Sequence, residues 1–192
     1  MAQLSDADLI HRARRGDAAA WDSLMQQHQE AVFRLAYLII GDPDDAEDAA
    51  QETFIRAYRS LNRFDTDRPL RPWLLRIASN TARNQRRSFG RYFAALQRLA
   101  RGEVAMHGEP DVEGLTIQQR DASALWQAVQ RLNEADRQVI YLRHFLDLSV
   151  EEAAGVLNIA PGTVKSRLHR ALQRLKDVVE VEFPSLRSEA SQ

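Results

Sequence analysis

The chain contains no cysteine. That excludes disulfides, thiolate metal sites and a cysteine nucleophile together, and it fits a reducing cytoplasm. Glycine (8) and proline (6) are scarce among 192 residues, too few for the many tight turns of a sandwich or barrel. Long apolar runs are missing as well. The longest stretch without a charge, Ala153–Val164, holds Gly155, Asn158, Pro161 and Gly162, so no insertion into a membrane is expected. The charged start (Asp6, Asp8, Arg12, Arg14) is unlike a secretory signal. The expectation is a soluble, cytoplasmic protein. Nor is there an excess of one charge, because 26 Lys and Arg face 27 Asp and Glu, a formal net charge of −1.

What the chain does have is charge sorted into blocks. Asp42, Asp44, Asp45, Glu47, Asp48 and Glu52 are six acids in a segment with no base. Arg63–Arg91 holds eight arginines against Asp65 and Asp67, and Thr163–Lys176 holds five bases and no acid. A solvated face normally mixes its signs, so such blocks point to partners of opposite sign, and to more than one of them.

The apolar spacing is helical nearly throughout, which predicts an all-α fold of two small helical domains joined by a flexible linker. Ser5 with Asp8 forms a capping arrangement and Gly16 ends the first helix. Asp17 caps a second, with Trp21, Leu24, Met25, Val32, Leu35, Ala36 and Ile39 inside, and Gly41 stops it. Asp42-Pro43 opens a third, burying Ala46, Ala50, Phe54, Ala57 and Leu61. Asn62–Pro72 is expected as a polar loop, followed by a helix with Trp73, Leu74, Ile77, Ala78 and Thr81 inside. Gly102–Thr116, with three glycines, one proline and four acids, has the composition of a linker. Beyond it, helices are expected around Ala122–Leu132 and after the cap Asn133. Ser149 with Glu152 opens a short helix that Asn158 ends, Ile159–Gly162 turns, and Thr163–Val179 forms a longer helix. These signals divide the chain into 1–91, 92–119, 120–182 and an unanchored tail, 183–192.

The last two helices have the form of a helix-turn-helix, in which a short helix braces a longer basic one for a major groove. Opposite the apolar stripe of the second lie Ser166, Arg170 and Gln173, flanked by Thr163, His169 and Arg174, with Lys165 on the other shoulder. Such side chains suit guanine edges, phosphates and base edges; a solvated basic face is the plainer alternative. In the first domain, the arginine-rich helix begins near Phe64 and Trp73, a combination suited to unstacked bases and a sugar–phosphate backbone. For Trp73, ordinary core packing is the competing explanation. The acids of the third helix cluster at its N-terminus, where the helix dipole alone favours them. The five histidines show no metal-ligand spacing, and no phosphate loop, dinucleotide glycine pattern or nucleophile elbow is present. No enzyme activity, cofactor or metal site is expected.

Two long motifs carry a resemblance. Asp44–Tyr58, then Phe64, then Trp73–Asn84 resemble region 2 of bacterial sigma factors. Leu148–Ala154 followed by Pro161–Ala171 resembles region 4. With nothing like region 1.1 or a region 3 domain between them, the chain is similar to the extracytoplasmic-function (ECF) class. The resemblance implies that the chain directs core RNA polymerase to promoters and initiates transcription. The acidic helix would dock on the β′ clamp helices through Asp44, Asp48, Gln51, Glu52, Phe54, Arg56 and Tyr58, with a further contact at the β flap. Asn62, Phe64, Trp73, Arg76, Asn80, Arg83, Asn84 and Arg87 would melt and read the minus-10 element as a single strand. Thr163, Lys165, Ser166, Arg167, His169, Arg170 and Arg174 would read the minus-35 duplex. An anti-sigma factor is the expected regulator. The loop Asp65–Pro72 departs from the usual Gly-Asp-Ser type by its prolines. The competing readings are a helix-turn-helix regulator with an all-helical sensing domain, and an adaptor with no nucleic-acid contact, which would leave both basic helices unexplained.

Overall fold

A computed structural model of the chain describes residues 4–99 and 117–187. Among the described residues there are eight α-helices and no strand, as the spacing predicts. The chain divides into two compact units, one comprising Met1–Ala94 with Glu151–Ile159, the other Ala95–Val150 with Ala160–Gln192.

In the first unit, α1 (Asp6–Arg14) opens with the capping box of Ser5 and Asp8, and Gly16 follows it at φ 89°. α2 (Ala18–Ile40) is capped by Asp17 and closed by Gly41 at φ 90°, a left-handed conformation that glycine adopts without steric penalty. α3 (Pro43–Ser60) is capped by Asp42 and starts with proline in its first turn, where no amide hydrogen is missed. α2 packs on both α1 and α3. Ala46, Ala49 and Ala57 are fully buried, and such small side chains let the α2 and α3 backbones approach closely. Around them Leu24, Leu35, Leu74 and Leu75 are almost wholly buried, each contributing about 1.5–3 kcal/mol of apolar burial.

The expected Asn62–Pro72 loop is shorter than the sequence implies. A 3₁₀ turn takes up Leu61–Arg63, and α4 (Leu70–Leu99) already includes Pro72 in its first turn. Proline is tolerated there because the first amides of a helix lack intrahelical partners. α4 also runs past the expected boundary at 91 to Leu99, so of the two sequence readings of the stretch after it, a short helix or more linker, the backbone over 92–99 takes the helical one. The glycine-rich stretch 102–116 lies outside the described residues.

In the second unit, α5 (Ile117–Arg131) begins inside the expected linker. α6 (Glu134–Ile140) is capped by Asn133 and passes into a π-helical turn over Tyr141–Phe145, which no spacing rule anticipates. Trp126, Tyr141 and Phe145 form an aromatic cluster there, with Trp126 stacked on Tyr141 at 5.9 Å. α7 (Val150–Leu157) groups with the first unit and ends at Asn158, whose φ is 55°. α8 (Pro161–Glu182) starts two residues earlier than expected: Ala160 is its N-cap and Pro161 its first residue. Val164 and Ala171 are buried, Leu168 and Leu175 are half-buried, and Leu172 is exposed. The tail is also anchored at its start. Pro184–Arg187 forms a 3₁₀ turn against α5 and α8, and residues 188–192 lie outside the description.

Candidate nucleic-acid interfaces and the α2–α3 groove

The acidic segment turns its charges outward. Asp44, Asp48 and Gln51 are exposed, and Glu52 is half-exposed in a 2.6 Å ion pair with Arg56 one turn on. Beside them α2 and α3 enclose an open groove of about 970 Å³, lined by Trp21, Met25 and Phe33 from α2 and by Gln51, Ile55 and Tyr58 from α3. Phe54 is only 9 % exposed; it forms the floor of this groove, edge-on to Trp21 at 6.3 Å, while Tyr58 is 51 % exposed at its rim. Phe54 is therefore a packing residue first, and the polar members of its predicted set are the accessible ones. Burial and the carboxylates of Asp42, Asp48 and Asp44 hold the Asp45 carboxyl above its ordinary value. The start of α3 thus concentrates more negative charge than the fold alone favours.

The α4 surface is tied in from several directions. Phe64, expected to meet bases, is 6 % exposed and packs against the half-buried Trp73 at 4.7 Å between ring centroids. Arg76, Asn80, Asn84 and Arg87 are exposed along the helix, and Asn62 is exposed in the 3₁₀ turn before it. Arg83 is half-buried, donating to Ser79 O at 3.1 Å and to Asn80 Oδ1 at 2.5 Å, so it orients the Asn80 amide. Farther along, Gln85 donates to Asp45 O and Arg86 to Ile39 O, both at 3.1 Å. These bonds fasten α4 to the α2–α3 corner that carries the acids.

On α8, Lys165, Ser166, His169 and Arg170 are all exposed, and Thr163 and Arg167 are half-exposed. Arg170 donates Nε to Ser166 O at 3.2 Å, which lays its guanidinium along the face. Residues 163, 166 and 170 share one side of the helix at the i, i+3, i+7 spacing. Arg174 differs from its predicted companions. It bonds to Asp136, whose side chain is 5 % exposed and also accepts from Asn133 Nδ2 at 2.7 Å. Arg174 therefore clamps α8 to the start of α6.

Sequence reasoning missed two residues of consequence. Asp136, which holds Arg174, looks like one more acid in a first helical turn. Arg14 donates Nε to Leu61 O at 3.1 Å, and its terminal nitrogen bonds Leu61 O at 2.9 Å and Phe64 O as well. Its partners are main-chain carbonyls 47 and 50 residues away, a pairing no local pattern records.

These surfaces coincide with two recognised regions. The sigma-70 region 2 family profile matches residues 24–92, covering α2 from Leu24 onward, all of α3 and most of α4, and the sigma-70 region 4 profile matches 122–175. The chain is 33 % identical over 186 residues to the RNA polymerase sigma-H factor of Pseudomonas aeruginosa, covering 94 % of this chain and 96 % of that protein. It is 30 % identical over 173 residues to the ECF RNA polymerase sigma factor SigW of Bacillus subtilis, covering 87 % and 92 %. Among solved structures it is similar to the sigma factor RpoE in complex with the anti-sigma factor NepR from Bartonella quintana. There the TM-score is 0.63 at 27 % identity, over 84 % of this chain and 97 % of that one. The chain belongs to the sigma-70 family, as an ECF-class sigma factor that directs RNA polymerase to promoters.

Proposed function

We propose that the two units divide promoter recognition between them. The exposed carboxylates of α3 (Asp44, Asp48, Glu52), with Gln51, Arg56 and Tyr58 beside them, dock on the β′ clamp helices of core polymerase. α4 and the turn before it capture the minus-10 element as a non-template single strand, with Arg76, Asn80, Asn84 and Arg87 facing the strand. Trp73 and Phe64 support that surface from within. Lys165, Ser166, His169 and Arg170 of α8 enter the major groove of the minus-35 duplex, and the second unit leans on the β flap. The protein performs no chemistry of its own; it positions polymerase. With neither cysteine nor a metal motif, its regulation falls to a partner, and the NepR complex of the Bartonella relative supports an anti-sigma factor as that partner.

The observation that carries this reading is the sorting of charge onto separate exposed faces, acidic on α3 and basic on α4 and α8, in the order of the two family regions. Near-zero net charge fits the same scheme. Such a chain gains little from counterion release alone, so both promoter elements must be held together by polymerase for tight binding. Run-off transcription with purified core polymerase tests it. Promoter-specific transcripts should appear only when this protein is added. Tight binding of promoter duplex by the isolated protein, with no transcripts on adding core, would instead mark a conventional helix-turn-helix regulator.

A further inference from the structure

We infer that Arg14, in α1, is a positioning residue for promoter opening. The inference rests on the minus-10 reading above and adds a residue outside the region 2 match, which begins at residue 24. The physical basis is the pair of carbonyls that Arg14 holds. Leu61 O and Phe64 O bracket the 3₁₀ turn that ends α3, and both residues are buried, at 2 % and 6 % exposure. Leu61 O accepts the Phe64 amide within the turn at 3.1 Å and has a second lone pair, which Arg14 takes up, while Phe64 O lies past the end of the turn, where a buried carbonyl must be satisfied from elsewhere. The planar guanidinium does this with a fork that an ammonium cannot reproduce.

Holding Phe64 O fixes more than a turn. The Phe64 ring lies against Trp73, and Trp73 precedes Arg76 and Asn80 by one and two turns of α4. The segment Asp65–Pro69 therefore leaves one fixed point, Phe64, and returns to another, the buried Leu70. Its own ties are local, a 3.1 Å bond from Arg68 N to Asp65 O and an exposed ion pair between the same two residues. Loss of the Arg14 fork frees the entry of this loop while leaving α4 helical. The loop then no longer presents a preformed edge to an unstacked base, and both melting and base preference suffer.

The test uses the full chain in holoenzyme with Arg14→Lys, Arg14→Ala, Asn80→Ala and, as a control for charge loss in α1, Arg12→Ala, since Arg12 pairs with the nearby Asp17 and not with the turn before α4. Permanganate reactivity of the minus-10 region is measured together with relative transcription from promoters changed one base at a time in that element. Arg14→Lys should lower permanganate reactivity about tenfold, the scale of losing charge-assisted hydrogen bonds, and should flatten preference at one or more minus-10 positions. Arg12→Ala should match the wild type. An Arg14→Lys protein that lowers all promoters in equal proportion, with base preference intact, would show a merely structural brace and overturn the inference. So would normal melting by Arg14→Lys beside defective melting by Asn80→Ala. If Asn80→Ala and Arg14→Lys both open promoters normally, the minus-10 reading itself is wrong and the inference falls with it.

Discussion

The α4 surface and the α8 face are built differently, although both are basic and both are assigned to DNA. α8 presents exposed side chains directly from a regular helix, and its two ion pairs to neighbouring helices, Arg174 with Asp136 of α6 and Glu182 with Arg131 of α5, both lie beyond Arg170. α4 is tied by Gln85 and Arg86 to distant main chain, Arg14 of α1 holds the turn before it, and the ring pair of that entry is sheltered, Phe64 buried and Trp73 half-buried. A duplex already has a fixed groove, so a helix with the right side chains suffices to read it. An unstacked strand has no fixed shape, and the protein must supply the order. On the proposed reading, the cross-ties supply it.

The largest expected effect on binding concerns neither DNA surface but the α3 face proposed to dock on polymerase. Reversing Asp48 and Glu52 together to lysine should weaken core binding about a hundredfold, because like charges then meet across the contact. Far-UV circular dichroism should stay unchanged, since only the surface pair of Glu52 with Arg56 is lost within the fold. Unchanged affinity in a titration would remove the docking role from α3.

The contacts that hold each unit together come next, read as stability and not as binding. Arg174→Ala leaves the buried Asp136 carboxylate without its guanidinium partner and should cost the second unit about 1–3 kcal/mol. Hydrogen exchange should rise in α6 and α8 and stay unchanged in α2 and α3. Leu75→Ala, at a fully buried site of α4, should do the reverse at a cost of about 2–5 kcal/mol to the first unit. Exchange rising throughout the molecule for either variant would show that the braces are not local.

The smallest effects are titrations. Hydrogen bonds from Ser5 hold the Asp8 carboxyl below its ordinary value, and Arg12 with the Ala20 amide does the same for Asp17. Their stabilisation is present above the ordinary carboxylate range and is lost as pH falls through the lowered folded values. Asp45 has the opposite sign, since its raised value means that folding is favoured by its protonation and its penalty grows as pH rises. Asp45→Asn should therefore leave stability at neutral pH the same or slightly higher. Thermal melts across pH would show it, and a clear loss of stability at neutral pH would contradict it.

Much of this architecture is written locally. Ser5, Asp17, Asp42 and Asn133 cap the helices that the sequence assigns to them, and Gly16, Gly41 and Asn158 end helices in left-handed conformations. Each signal acts within four residues, which is why spacing reveals it. What stayed hidden depends on distant partners. The π-helical turn at Tyr141–Phe145 coincides with the aromatic packing on Trp126, and the tail turn 184–187 forms against α5. At the candidate site, the exposed polar set on α3, α4 and α8 was legible from charge and family motif. The burial of Phe54 follows from its helical spacing with Ala46, Ala50 and Ala57, whereas the burial of Phe64, the engagement of Arg174 and the fork of Arg14 were not legible, because each is fixed by a residue or carbonyl far along the chain.

The central claim, that one unit opens the promoter and the other reads duplex, is tested most directly by comparing Asn80→Ala with Arg170→Ala in two assays on the same holoenzyme. One is binding to a duplex carrying only the minus-35 element, and the other is permanganate reactivity of the minus-10 region at saturating protein. Asn80→Ala should bind the duplex normally and open it poorly. Arg170→Ala should bind more weakly, by about 1–3 kcal/mol for a lost base contact, and open normally once saturated. The same pattern from both variants in both assays would contradict the division of labour.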